Sequence, residues 1–439
     1  MLLKAVMLGL AAALFAACAA RAPTPQATTI IFEQLPDARA RVRFQLPSPV
    51  KALRFNSVAG RYRARHWRFE DKGFAHGADG EYDTITRRDG EKFRSVTLIA
   101  KPHESRLEKD YQPIARYGEG GVLIYTGHFW PREAEGVRAR AVFTFEAAPG
   151  GEVVAFGARG TKLENWRSPT GQGSFVYLGP LAPVETPNVM ALVDSDAPRW
   201  IIEEFGALTP RIFARLADAF GTTLDIKPNL FLAAALGDEK GRLSYAGDAT
   251  PGQFQITLRG LAWQERSEKG ANIFRRSTAH EAAHLWQLAA SPGEETPDWA
   301  HEGAAEAIAG ETLAALGLWS AADYDADFEA ARNACADRLA AGPLKGAAER
   351  KDYRAVYACG HVVAEAVSRA EGAPASSFWR AFLAEAEAAG DYSEARFHTL
   401  VRERTGDIAF ARKLKRFIET RPPDAARAID DLLDAASGR

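Results

Sequence analysis

His280, Glu281 and His284 have the types and spacing to hold a metal ion and a base on one helix face. In the run His280-Glu281-Ala282-Ala283-His284 the imidazoles stand at i and i+4, one above the other on a helix. Both can reach one ion, and Glu281 then stands beside the position a water would take. Two histidines leave a zinc-type site short, because a catalytic zinc takes three protein ligands and keeps one position open. Trp299-Ala300-His301-Glu302-Gly303-Ala304-Ala305-Glu306 follows, with 17 residues between His284 and Glu302. The breaker-rich stretch 291–298 predicts helix, tight loop, helix, so that the second helix returns against the first. His301 and Glu302 compete for the third position, and because they point about 100° apart on a helix they do not share it. Glu306, one turn beyond Glu302 on the same face, is placed to accept the free N–H of a metal-bound imidazole. The plainer alternative for Glu306 is a solvated helix charge.

His280 to His284 with Leu285-Trp286, then Trp299-Ala300-His301-Glu302-Gly303, resembles the M1 aminopeptidase group of gluzincin zinc peptidases. That group carries HExxH, a Trp two residues later, and an aromatic-x-x-Glu-Gly motif at a spacing one residue longer. The metzincin pattern fails, because Gln287 and Ala290 stand where its Gly and third His belong. The resemblance implies one Zn²⁺ per chain on His280, His284 and Glu302, with Glu281 as general base. Tyr357-Ala358-Cys359-Gly360 is similar to the group's Tyr-x-Lys-Gly segment, with Cys359 at the Lys position. It implies that Tyr357 stabilises an oxyanion; the alternative is a packed helix aromatic. Residues 246–252 precede a strand-like 253–258 and occupy the place of the group's Gly-Ala-Met-Glu-Asn edge strand. That implies substrate-backbone contacts at Gly247 and Gly252, by strand addition. The Glu that grips a free amino terminus in that motif is missing, so aminopeptidase and endopeptidase both stand. The rival from another class is an inactive envelope binding protein that retains the fold. Glu281 counts against it, since a structural metal site has no use for that base.

These residues need elements to position them. Residues 41–46, 96–100, 122–126 and 142–146 read as short alternating strands, within a mainly antiparallel β-sandwich over 30–183. Trp67, Phe129, Trp130 and Trp166 read as its core, while His66, His76, His103 and His128 show no ligand spacing. A helix is expected over 198–220, interrupted at Pro210 and closed by Gly221. Strands at 230–236 and 253–258 then lead into the metal-binding helices, giving a thermolysin-like catalytic domain over 188–320. An all-helical region covers 321–439. The expected class is therefore multidomain, β followed by α/β and then α.

Residues 1–18 read as an export signal ending in a sequence that resembles a bacterial lipobox, with Cys18 the lipidated residue. The apolar stretch is short for a membrane span. Residues 19–29 serve as tether, and the expected location is the periplasm, anchored to the outer membrane. Cleavage at an Ala-x-Ala site and a soluble secreted form is the alternative. An oxidising compartment favours a Cys335–Cys359 disulfide over two buried thiols. With a net charge of −2 over 439 residues and no Lys/Arg block, nothing points to nucleic acid, and no nucleic-acid partner is expected. The expected partner is a peptide or protein substrate, with the membrane reached through the lipid.

Overall fold

Alternation of apolar and polar side chains builds the first half of the chain. Thr28–Leu35 buries every second residue, and Ile30 and Phe32 lie fully inside. The computed structural model describes residues 27–58, 61–103, 107, 110–133, 136–237, 242–290 and 296–438. Cys18, most of the tether and the loop residues 291–295 lie outside the described residues. Lys162–Trp166, Ala141–Glu146, Thr28–Leu35, Arg39–Val50, Phe93–Ala100 and Trp67–Phe69 form a six-stranded sheet in that spatial order. Its neighbours are antiparallel except Thr28–Leu35 with Ala141–Glu146, which run parallel. Ala158–Gly160, Glu152–Ala155, Phe175–Gly179, Val122–Tyr125 and Ile114–Arg116 form a second, antiparallel sheet. Side chains of both sheets share one core, which includes Trp67 and Phe129 and has Trp130 and Trp166 packed against it. The sandwich expected from the alternation is present.

The central strands of the second sheet are buried on both faces. Every residue of Val122–Tyr125 and Phe175–Gly179 is buried. On the face away from the sandwich core, Tyr117, Tyr125, Phe175 and Tyr177 pack against Leu192 and Phe231. Those two residues belong to a third sheet, ordered Val184–Glu185, Met190–Val193, Asn229–Ala235, Gln253–Arg259 and Ser244–Thr250. Its inner strands run parallel, and Ser244–Thr250 lies antiparallel at the open edge.

The helix Arg199–Phe220 crosses between the first two parallel strands of that sheet and runs unbroken through Pro210, against the interruption expected there. Proline removes one N–H from the ladder, and its partner would be the carbonyl of Gly206, which is exposed to water. The neighbouring buried carbonyl of Phe205 accepts from the Thr209 hydroxyl at 2.6 Å. Ile201, Phe205, Leu208, Ile212, Phe213 and Leu216 keep one apolar face buried on both sides of the proline. Gly221 caps the helix at φ 68°, as expected.

Four helices then build the site. They are the metal helix Glu268–Ala290, the return helix Asp298–Ala315, the bracing helix Ala321–Leu339 and the tyrosine helix Tyr353–Glu371. Ala375–Ala389, Glu394–Thr405, Ile408–Glu419 and Ala425–Ala436 complete the helical part. Across residue 320, where the sequence suggested a change of domain, packing is continuous, and one apolar cluster runs from Val189 to Ala436. The return and tyrosine helices meet at Gly303 and Gly360, where a Cβ on either would overlap the other's helix backbone. A disulfide joins Cys335 to Cys359, with Cα atoms 4.7 Å apart, and ties the bracing helix to the tyrosine helix.

Candidate metal centre

The metal helix presents His280, Glu281 and His284 on its buried side, and all three are nearly inaccessible to solvent. The two Nε2 atoms face each other at 3.0 Å. Glu302 Oε2, delivered by the return helix, lies 3.3 Å from each of them. These three groups are the one cluster of its kind among the described residues. Oε2 of Glu302 is buried without a hydrogen-bond partner of good geometry, and the two imidazole Nε2 atoms crowd it. A cation among them resolves that crowding. Ligands about 2.0–2.1 Å from a tetrahedral ion lie about 3.3 Å apart, which matches the spacing of this set. The donor set of two imidazoles and one carboxylate therefore fits zinc.

Each imidazole has a different group behind it. His284 Nδ1 is 2.7 Å from Gln287 Oε1, and Gln287 Nε2 donates to the His301 carbonyl at 3.1 Å. His280 Nδ1 faces Glu306 Oε1 at 3.5 Å. Glu306 is buried, so it is not a solvated charge. The His301 ring stacks on His284 with centroids 4.4 Å apart and does not take the place of Glu302. Burial, and then the neighbouring His284, lower His301 to about 3, so it is neutral at physiological pH.

Glu281 and Tyr357 share a cavity of about 250 Å³ with the three ligands. Burial pushes Glu281 up to about 8, with the carboxylates of Asp248, Glu302 and Glu306 adding to it against His280. Burial opposes the charge of Glu302 too, but His280 and His284 hold it well below the usual carboxylate range. Tyr357 lies with its ring 5.8 Å from that of His280. Burial, and then the carboxylates of Glu302, Glu281 and Glu306, raise its phenol well above the ordinary value, so it remains a hydrogen-bond donor.

The open edge strand Ser244–Thr250 passes over Glu281. A Cβ on Gly247 would overlap the Glu281 carboxylate, so this glycine lets the strand approach the base. Gly252 stands outside the cavity, in the turn that follows the edge strand. It sits at φ 73° in the Pro251–Gly252 hairpin turn, where a Cβ would overlap the Phe156 ring, and it does not line the cavity. Its positive φ suits the turn, which is what the Pro-Gly pair specifies.

The sandwich supplies a wall that the sequence did not reveal. Asp110, Tyr111, Gln112 and Gln172 line the cavity. The Gln112 N–H donates to Asp248 Oδ2 at 3.1 Å, and the Tyr111 hydroxyl to the Ala249 carbonyl at 3.3 Å. Arg259 donates to Gln112 Oε1 at 2.7 Å. Gln287, Arg276 and Asp327 were also missed. Gln287 had a signal, since it follows His284 by three and so shares its helix face. The sandwich residues had none.

No family model matches the chain, and neither does any curated protein sequence. Among solved structures, an aminopeptidase N family protein of Idiomarina loihiensis superposes with a TM-score of 0.66 at 10% identity, over 92% of this chain and 78% of that one. A two-domain M1 zinc metallopeptidase variant bound to L-arginine gives a TM-score of 0.50 at 16% identity, over 91% and 94%. Leukotriene A4 hydrolase of Saccharomyces cerevisiae gives 0.50 at 10%, over 91% and 68%. The fold is that of the M1 zinc metallopeptidases, in a chain far diverged from these in sequence.

Proposed function

We propose that this chain is a zinc-dependent peptidase that hydrolyses peptide bonds at the centre formed by His280, His284 and Glu302. The observation that carries it is the convergence of those three ligand atoms in one cavity with the buried carboxylate of Glu281 and the half-buried phenol of Tyr357. The ion, when bound, supplies Lewis acidity to the scissile carbonyl and makes water easier to deprotonate. A peptide laid beside Ser244–Thr250 can add to the sheet there, because among the described residues that strand pairs with a neighbouring strand on one side. Glu281 takes the proton of the attacking water as the carbon–oxygen bond forms, then hands it to the departing amine as the carbon–nitrogen bond breaks. Tyr357 donates to the oxygen that gains negative charge between those events.

The cavity lining bears on the choice between exopeptidase and endopeptidase. Asp110 and Asp248 line it in addition to Glu281 and Glu302, and no Lys or Arg does among the described residues. A protonated amino terminus is the group such a wall would hold, which supports the aminopeptidase form of the reading. The test is zinc content and peptide turnover in the parent and in Glu281→Gln. One zinc in each, with turnover reduced by roughly 10²–10⁴ in the variant, supports the mechanism. Unchanged turnover, or a parent that binds no zinc, would leave a binding protein with this fold. An N-acetylated peptide cleaved as fast as its free-amine twin would exclude the aminopeptidase form.

We further propose that the protein works in the bacterial envelope, held at the outer membrane by lipid on Cys18. Support comes from the signal-like residues 1–18 and from the Cys335–Cys359 disulfide, which suits an oxidising compartment. Cys18→Ser should move the protein from the membrane fraction to the soluble one; equal partitioning of the two would end this placement.

A further inference from the structure

The three helices that supply the centre each carry a second polar residue one turn away. Arg276 precedes His280 by four positions, Glu306 follows Glu302 by four, and His361 follows Tyr357 by four. Residues so spaced share a helix face. They gather behind the metal ligands, beside a cavity of about 490 Å³ whose wall also includes Asp327 of the bracing helix. Within this layer Arg276 is the hinge of the contacts. Its Nε lies 2.9 Å from Asp327 Oδ1, and its Nη2 contacts Glu306 Oε2. The carboxylate of Glu306 is thus divided: one oxygen belongs to Arg276, and the other faces His280 Nδ1 at 3.5 Å. His280 Nδ1, Arg276 Nε and Glu306 Oε2 form no hydrogen bond of good geometry, so the three residues are linked here by charge contacts. His284, by contrast, has the neutral amide of Gln287 behind it.

We propose that Arg276, held in turn by Asp327, is a positioning residue for the metal centre. By occupying Oε2 it turns Oε1 of Glu306 onto His280 Nδ1, and this keeps the imidazole presenting Nε2 to the ion. The inference rests on the zinc reading above. A planar guanidinium suits the task because its separate N–H groups reach two carboxylates at once, whereas an ammonium acts from a single point. Groups that orient a metal-bound imidazole typically change metal affinity by about 10–100-fold when lost.

The experiment is zinc affinity by competition with a chromophoric chelator, on the whole protein stripped of metal and reloaded. Arg276→Gln should bind zinc about 10–100-fold more weakly, and Arg276→Lys should fall between it and the parent. Adding Arg276→Gln to Glu306→Gln should cause no further loss, because the arginine acts through that carboxylate. Melting of the metal-free forms shows whether each variant folds, and Arg276→Lys serves if Arg276→Gln does not. Parent-like affinity in a folded Arg276 variant would overturn the proposal. So would losses that multiply in the double variant, since Arg276 would then act independently of Glu306. A parent that takes up no zinc would overturn the metallopeptidase reading itself, a failure distinct from these two.

Discussion

At the residue scale, the chemistry depends on groups whose environment sets their state. Tyr357 can act on an oxyanion only as a donor, and burial among three carboxylates keeps its proton on. Removing one such donor costs about 10²–10³ in kcat elsewhere. Tyr357→Phe should therefore lower kcat by about that factor while zinc content and KM change little. A wild-type kcat in this variant would reduce Tyr357 to a packed aromatic. Gln287 teaches a different lesson at this scale. In the sequence its position shows only that a metzincin glycine is absent, yet it holds the His284 imidazole and the start of the return helix together.

At the element scale, close approach matters more than propensity. The edge strand reaches Glu281 because Gly247 has no side chain, and the return and tyrosine helices touch because Gly303 and Gly360 have none. Gly247→Ala should push the Glu281 carboxylate from its place. A displacement of about 1 Å at a reacting group can cost about 10²-fold in rate. The expected result is a fall in kcat by tenfold or more, with zinc content and melting temperature near those of the parent. Retention of full activity would mean that the strand yields and does not fix the base. Pro210 shows the converse, since a breaker is accommodated where the residue whose carbonyl it orphans is exposed and both flanks are anchored in the core.

At the scale of the molecule, the sandwich forms part of the cavity wall through Asp110, Tyr111 and Gln112. Beneath them lies His128, buried, with Nε2 2.7 Å from the Tyr111 carbonyl and Arg63 bonded to its own carbonyl. Burial, and then Arg63, lower His128 from 6.5 to about 3. Between those values the unfolded chain binds the proton and the folded chain does not. The stability due to this group is therefore full above about pH 6.5 and is lost as pH falls toward 3. At pH 5 the loss from this residue is on the order of 2 kcal/mol. Urea midpoints at pH 7 and pH 5 should differ accordingly, and His128→Asn should remove that part of the difference. A variant with the parent's full pH dependence would place the acid sensitivity elsewhere.

The sequence by itself determined what local rules govern. Alternation marked the sandwich strands, i and i+4 spacing put His280 and His284 on one face, and the breakers before Trp299 implied the return that brings Glu302 to them. Gly221 as a cap and the paired cysteines were legible in the same way, because their physics is short-range or tied to residue type. Tertiary structure alone decided the rest. Asp110 and Gln112 meet Asp248 across more than a hundred residues, Arg276 finds Asp327 on another helix, and Gly252 turns away from the cavity that Gly247 enters. No periodicity encodes such meetings. They follow from how the buried faces of sheets and helices stack, and that is settled by the whole core at once.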